Sequence, residues 1–385
     1  MMRACGIIAE FDPFHNGHKY LIEQARDEGN THVAVVMSGN AVQRGTPSFY
    51  DKVYRAECAV DNGADIVLEL PAPYSCSNAE TFARAGVVAL ASLGKGVIRH
   101  LVFGSEIPDT ELILRASGAA EKLRDSEKVR RFIQQGDSYP LALSKACEME
   151  FGKEVATVFG TPNSTLALEY CRALKTTAPW INPCAVKRVG AAHDSTDDRD
   201  GYASASLLRE MLRIGEDVSQ YMPAFTHDFY SSARTDSIFR YHLTAADKNE
   251  LLALPDVNDA IANKVIKAAS EGFSSAAQIL SACKSKDITA ARLRRMSLHL
   301  VLGVRKEDLA PLPFVRILAF NKRGSELLSA GEHTLPIDTS LKRLEAVSTQ
   351  AMRVSLLEQR AGMLRSLGTQ NGIPINEYKR DIRML

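Results

Sequence analysis

The run Phe11-Asp12-Pro13-Phe14-His15-Asn16-Gly17-His18 carries the densest chemistry in the sequence. Two imidazoles stand three residues apart, a spacing that puts both rings on one side of a helix beginning there. Gly17 between them lets a ligand approach the backbone closely. The unpaired N–H groups of a first helical turn point the same way and favour an anion. Two imidazoles and a helix start suit the phosphates of a nucleotide. Asp12 could complete a metal pair instead, but no His, Cys or Glu cluster follows at metal spacing, and no metal ligand is assigned.

A second candidate is Ser204-x-Ser206-x-x-Arg209, where hydroxyls, helix N–H groups and a guanidinium can converge on one anion. Its plainer reading is an N-cap with a surface arginine. Gly39-Asn40 with Gln43-Arg44-Gly45 forms a polar loop after a strand, a usual place for substrate contacts, and Arg44 could neutralise a carboxylate or a phosphate. Gly104 offers close approach to a ribose or base, Asn163 a hydrogen bond to either, and Arg188 a stacking or bonding partner. His193-Asp194 is a weaker acid–base pair beside the acidic stretch that runs to Asp200. No Walker A, GxGxxG or GxSxG pattern is present, so the phosphate chemistry falls to the HxGH turn. ATP would be held bent at the helix start, with His15, His18 and Arg209 bearing the charge that develops on departing pyrophosphate. An incoming acid oxygen would attack the α-phosphorus in line. Mg²⁺ is expected on the phosphates, without an evident protein ligand set.

The elements that must position these residues alternate. Apolar runs over 6–9, 31–37, 64–70, 98–103 and 183–189 read as strands, separated by helical patterns over 50–62, 79–91 and 110–123. That order implies an α/β fold, a Rossmann-like parallel sheet with right-handed crossovers and ligands at the carboxyl ends of the strands. From about 220 no strand is evident, and helical stretches cover 244–254, 257–271, 274–282, 288–302, 324–329 and 349–367. The expected division is a nucleotide-binding, catalytic domain over 1–225 and a basic, mainly α-helical domain over 226–385.

Charge supports the division. The net charge is +1, but residues 234–385 hold 23 Lys/Arg against 16 Asp/Glu (+7), leaving −6 on residues 1–233. A basic second part suggests a polyanionic partner. Lys284, Lys286, Arg292, Arg295, Lys322 and Arg323, with Phe314, Arg316 and Phe320 nearby, suit RNA backbone binding and base stacking. Seven cysteines without a CxxC pattern fit unpaired thiols in a reducing cytoplasm. No apolar run reaches membrane-spanning length and no signal-peptide pattern is seen.

Taken together, Phe11–His18, Met37-Ser38-Gly39-Asn40 with Gln43-Arg44-Gly45, Ala64–Pro71, Phe103-Gly104-Ser105-Glu106, Pro162-Asn163, Lys187-Arg188, Ala203–Ser206 with Arg209, and Phe320-Asn321 resemble one family. The sequence is similar to the bacterial tRNA(Met) cytidine acetate ligases of the HIGH nucleotidyltransferase superfamily, except that Asp12 stands where asparagine is common and Leu207 where a small or hydroxyl residue is common. The resemblance implies that ATP and acetate form acetyl-adenylate. The acetyl group then passes to N4 of the wobble cytidine of elongator tRNA(Met), giving N4-acetylcytidine. It implies ATP contacts along Ile7, Ile8, Ala9, Glu10, Phe11, Asp12, Pro13, Phe14, His15, Asn16, Gly17, His18, Lys19 and Tyr20, and at Gly104, Asn163, Arg188 and Val189, beside the clamp at Ser204 and Ser206. Two other readings stay open on the residues: an adenylyltransferase acting on a small phosphate ester, and a non-catalytic tRNA-binding protein on a relic nucleotide fold.

Overall fold

The computed structural model describes residues 2–160, 162–189, 201–382, 384 and 385. In chain order the first half runs β1 (Ala4–Ala9), α1 (Asn16–Asp27), β2 (His32–Ser38), a small hairpin of β3 (Ala41–Val42) and β4 (Thr46–Pro47), α2 (Lys52–Asp61), β5 (Ile66–Leu70), α3 (Ala79–Ala91) and β6 (Ile98–Ser105). Four helices follow, α4 (Thr110–Leu123), α5 (Glu127–Gln134), α6 (Tyr139–Phe151) and α7 (Lys153–Ala156). Then come α8 (Pro162–Thr177), β7 (Asn182–Lys187) and α9 (Ala205–Ile214).

The five long strands pair parallel in the order β7-β6-β1-β2-β5. The first strand lies between β2 and β6, so strand order reverses at its edge and a crevice opens at the carboxyl ends of β1 and β6. Apolar residues fill both faces, as a doubly covered sheet requires. Val33, Val35 and Met37 of β2 pack with Ile22 and Ala25 of α1 and Ala56 and Ala59 of α2. Ala34 and Val36 pack on the other face with Phe82, Val87 and Leu90 of α3 and Ile113 of α4. The parallel sheet with helices between its strands matches the sequence-based expectation.

The second half continues with α10 (Ser232–Ala245), α11 (Lys248–Leu252), α12 (Asp259–Ser270), α13 (Ala276–Ala282) and α14 (Ala290–Leu302). These helices share a core of Leu243, Leu251, Ile261, Val265, Ile279, Leu293 and Met296. The expectation of no strand after 220 fails. Residues Val315–Phe320 form β8, which joins β5 antiparallel and is followed by α15 (Lys322–Leu328). β9 (Ile337–Asp338) then extends the same sheet, and α16 (Leu341–Glu345) and α17 (Thr349–Leu367) follow it. The reason is burial. Val315, Ile317, Leu318 and Ala319 all face apolar layers of the first sheet, and Arg316 between them is buried against acidic partners.

Those partners form an ionic cluster beneath the carboxyl ends of β2 and β5. Lys52 contacts Glu69, Glu358 at 3.0 Å and Glu377 at 2.8 Å, while Arg316 meets Glu377 at 3.0 Å; all five are buried. Burial alone would lower the Lys52 pKa, but Glu358, Glu377 and Glu69 hold it above its ordinary value. Glu358 comes from α17 and Glu377 from the residues after it, so the end of the chain is bolted under the first sheet.

Candidate active site

The HxGH turn is built as two interlocked caps. His15 is the N-cap of α1, and its Nδ1 accepts from the Gly17 N–H at 3.0 Å. His18 Nδ1 in turn accepts from the His15 N–H at 3.3 Å. A Cβ on Gly17 would lie 2.9 Å from the His15 ring, so only glycine leaves that ring in place. The two rings stack with centroids 3.8 Å apart, and Phe11 and Phe14 pack against His18 from behind. Phe11 carries the bend from β1 into the turn at φ +49°, a strained conformation for an aromatic residue and one that gathers at functional sites. Because both Nδ1 atoms accept backbone N–H groups, each ring carries its proton on Nε2.

Burial depresses both imidazoles. His15 is pulled down to about 3 by burial, then by the guanidinium charges of Arg188 and Arg209; His18 falls well below its ordinary value through burial, His15 and Arg188. At neutral pH the pair is therefore two neutral Nε2–H donors. The fixed positive charge comes from the arginines.

Arg209 is brought to the turn by α9. Ser204 caps that helix, accepting from the Leu207 N–H at 3.1 Å, and Arg209 donates to Ser206 Oγ at 3.2 Å and to the Asp12 carbonyl. Asn16 fastens the same segment to α1, its side chain donating to the Gln220 carbonyl at 2.9 Å and the Gly201 carbonyl at 3.1 Å. Asp12 accepts from the Phe49 N–H at 2.6 Å and lies 3.9 Å from Arg209, so its carboxylate ties down a neighbouring loop. An asparagine Oδ1 would accept that bond equally well. From the other side of the crevice, Arg188 follows β7, its N–H donating to the Ser105 carbonyl at 3.1 Å. A Cβ on Gly104 would come within 3.1 Å of the Arg188 stem. Asn163, at the start of α8, donates to Glu106 at 2.6 Å beyond the end of β6. Val189 is half-buried next to Arg188. His15, His18, Arg188 and Arg209 are thus gathered around the first turn of α1, a cradle for a polyanion.

Other expected residues stand elsewhere. Ile7 and Ile8 are buried in opposite apolar layers. Lys19 points outward, 4.0 Å from Glu23, and Tyr20 packs edge-on to Tyr202. Asn40 is turned inward, donating to Glu358 and Glu377, because those buried carboxylates need donors. Lys284 and Lys286 are exposed between α13 and α14, while Arg292 donates twice to the Asp256 carbonyl. Arg295 reaches the Gln43 carbonyl, and Arg294 the Arg44 carbonyl at 3.0 Å. Lys322 and Arg323 are exposed at the amino end of β5, because antiparallel β8 delivers them to the sheet edge opposite the crevice. The structure does not bring them together with Lys284 and Lys286. His193 and Asp194–Asp200 lie outside the described residues. Sequence reasoning missed Arg55, which donates to the carbonyls of Glu10, Ser38, Gly39 and Tyr50 and so sets the ends of β1 and β2. An arginine in mid-helix reads as solvent-facing, and no sequence signal marks it. Among the described residues no group of three His, Cys, Asp or Glu side chains could hold a metal ion.

The HIGH nucleotidyltransferase family matches residues 2–376. A tRNA(Met) cytidine acetate ligase of Clostridium kluyveri is 34% identical over 89% of this chain and 90% of its own. That of Bacillus velezensis is 31% identical over 99% and 94%. The chain belongs to the tRNA(Met) cytidine acetate ligase family. Among solved structures, Thermotoga maritima TmcAL in its apo form superposes over the whole of both chains with a TM-score of 0.87 and 25% identity. The same protein bound with alpha-thio ATP shares the fold at a TM-score of 0.85 and 24% identity. In this chain the caps, rings and neighbouring arginines of the HIGH-type turn are all in place.

Proposed function

We propose that this protein joins acetate to ATP as acetyl-adenylate, releasing pyrophosphate. It then transfers the acetyl group to N4 of the wobble cytidine of elongator tRNA(Met), releasing AMP and leaving N4-acetylcytidine. The observation that carries the first step is the cradle itself. Two neutral Nε2–H donors and two guanidinium groups surround a helix start at the topological switch of the sheet. Such a set binds triphosphate without quenching the arginines, and it strengthens its hold as negative charge grows on departing pyrophosphate. His15, His18 and Arg209 are the residues assigned to that step, with Arg188 holding the nucleotide from the β6–β7 side. Acetate and tRNA come from the relatives' names, and the helical module with Lys284 and Lys286 supports the polyanionic partner. Mg²⁺ would enter on the phosphates, its remaining ligands water, since no protein ligand set is present among the described residues. The unpaired thiols of all seven cysteines support a cytoplasmic setting, and no helix among the described residues is long and apolar enough to cross a membrane.

The test is ATP–pyrophosphate exchange with acetate, with and without elongator tRNA(Met), followed by nucleoside analysis of that tRNA. Acetate-dependent exchange and N4-acetylcytidine at the wobble position are expected. Exchange with a phosphate-ester acceptor in place of acetate would overturn the reading in favour of an adenylyltransferase.

A further inference from the structure

We infer that Glu10 takes the proton from the cytidine N4 amine during acetyl transfer, an inference that rests on the reaction proposed above. Glu10 ends the first strand's extension, one residue before the strained Phe11. Its carbonyl accepts from Arg55 at 2.6 Å and its Oε1 accepts from the Gln43 N–H, so backbone and carboxylate are both pinned. Among the described residues its Oε2 takes no hydrogen bond, and the side chain makes no ion pair within 4 Å. The other half-buried or buried carboxylates nearby behave differently: Asp51, Glu69, Glu358 and Glu377 each pair with a lysine or arginine. One carboxylate oxygen thus holds the Gln43 loop, and the other is left for chemistry.

Its position fits the second half-reaction. Gln43 belongs to the loop whose carbonyls are gripped by Arg294 and Arg295 of α14. Gly45 in that loop lies so close that a Cβ would sit 2.2 Å from the Arg295 nitrogen. Glu10 therefore stands where the nucleotide site meets the helical module, the side from which a bound RNA would reach an acyl-adenylate. The charged groups facing it are Asp12, Arg44 and Arg209, with Arg55 behind. Burial and Asp12 lift its pKa above the ordinary carboxylate range, nearer the value that suits a base at neutral pH. The alternatives at the turn are committed: each histidine Nδ1 accepts a backbone N–H, and Asp12 accepts from Phe49 while facing Arg209.

In the step, N4 attacks the carbonyl carbon of acetyl-adenylate and the N–C bond forms. The N4 proton passes to the Glu10 carboxylate. The C–O bond to the phosphate breaks, and AMP departs with the electron pair. Glu10 then returns its proton to water.

Glu10→Gln keeps an oxygen for the Gln43 N–H and removes the basicity, so the fold should tolerate it, with an unchanged melting temperature as the check. Two rates are measured on the full chain: acetate-dependent ATP–pyrophosphate exchange, and single-turnover formation of N4-acetylcytidine from synthetic acetyl-adenylate and unmodified tRNA(Met). Transfer should fall about 10²- to 10⁴-fold, and much further than exchange. The wild-type transfer rate should rise with pH through a limb that Glu10→Gln lacks and Glu10→Asp retains. Equal losses in both rates, or an unchanged limb in Glu10→Gln, would overturn the assignment. A wild-type protein that forms no N4-acetylcytidine from acetyl-adenylate would overturn the proposed reaction, and the role of Glu10 with it.

Discussion

His15 and His18 act as a pair because each caps the other's backbone, and this makes single substitutions at the turn sharp probes. His18→Ala removes an Nε2–H donor and also leaves the His15 N–H without its acceptor. Exchange should fall about 10²- to 10³-fold, while tRNA affinity measured by filter binding changes little. Comparable loss of both would argue against separate nucleotide and RNA surfaces. The same residues set a pH dependence. The folded pKa of His15, about 3, lies below the 6.5 of a free imidazole. Between those values the unfolded chain binds a proton that the native chain does not, so the stabilisation is complete above pH 6.5 and is lost as pH falls toward 3. Urea titrations between pH 7.5 and 4.5 should show this slope, and a His15→Asn, His18→Asn variant should show a shallower one.

At the scale of elements, the join between α14 and the loop after β2 is a backbone contact, and a single methyl tests it. Gly45 sits at φ +80° with the Arg294 and Arg295 backbone within 3 Å of a would-be Cβ. Gly45→Ala combines an unfavourable left-handed conformation with a clash against atoms that cannot rotate away. It should cost at least about 1 kcal/mol by thermal melting and should slow transfer more than exchange. Local pattern made the elements around this join readable. α3 and α4 span 79–91 and 110–123 as expected, because the N-caps Asn78 and Asp109 mark where each begins. The HxGH turn was readable because its capping geometry is local, contained in eight consecutive residues. Strand β8 was not. Val-Arg-Ile-Leu-Ala-Phe carries an arginine among basic neighbours and looks like a nucleic-acid surface until Glu377 is found beside it. Lys52 and Asn40 were hidden for the same reason: their partners lie more than 300 residues away, where no spacing rule reaches.

Across the whole molecule, the buried ionic cluster decides whether the end of the chain stays docked. Glu358 accepts from the Asn40 backbone and side chain, from the Ala72 N–H and from Lys52. Glu358→Ala would strand the Asn40 and Ala72 N–H groups in a dry interior and take one of three carboxylates from Lys52, at a cost of about 3–5 kcal/mol in a denaturant titration. Replacement of the whole set by apolar residues of matched volume would be far milder, because the penalty lies in the unpaired charge. Nucleotide exchange should weaken in step with the loss of stability, since Lys52 and Arg55 share α2 and Arg55 sets the ends of β1 and β2.

The late arrival of β8 has a consequence for how the protein is made. Val67 of β5 pairs with Ala319, about 250 residues further along the chain. At ordinary rates of synthesis β5 leaves the ribosome roughly 10–50 s before its outer neighbour exists. During that interval Ile66-Val67-Leu68-Glu69-Leu70 offers an open apolar edge, and Lys52 and Glu69 await partners that have not been translated. A nascent chain halted near residue 310 should therefore be held by chaperones or aggregate, despite carrying the entire nucleotide cradle. Soluble, ATP-binding 1–310 protein would show that something else guards that edge.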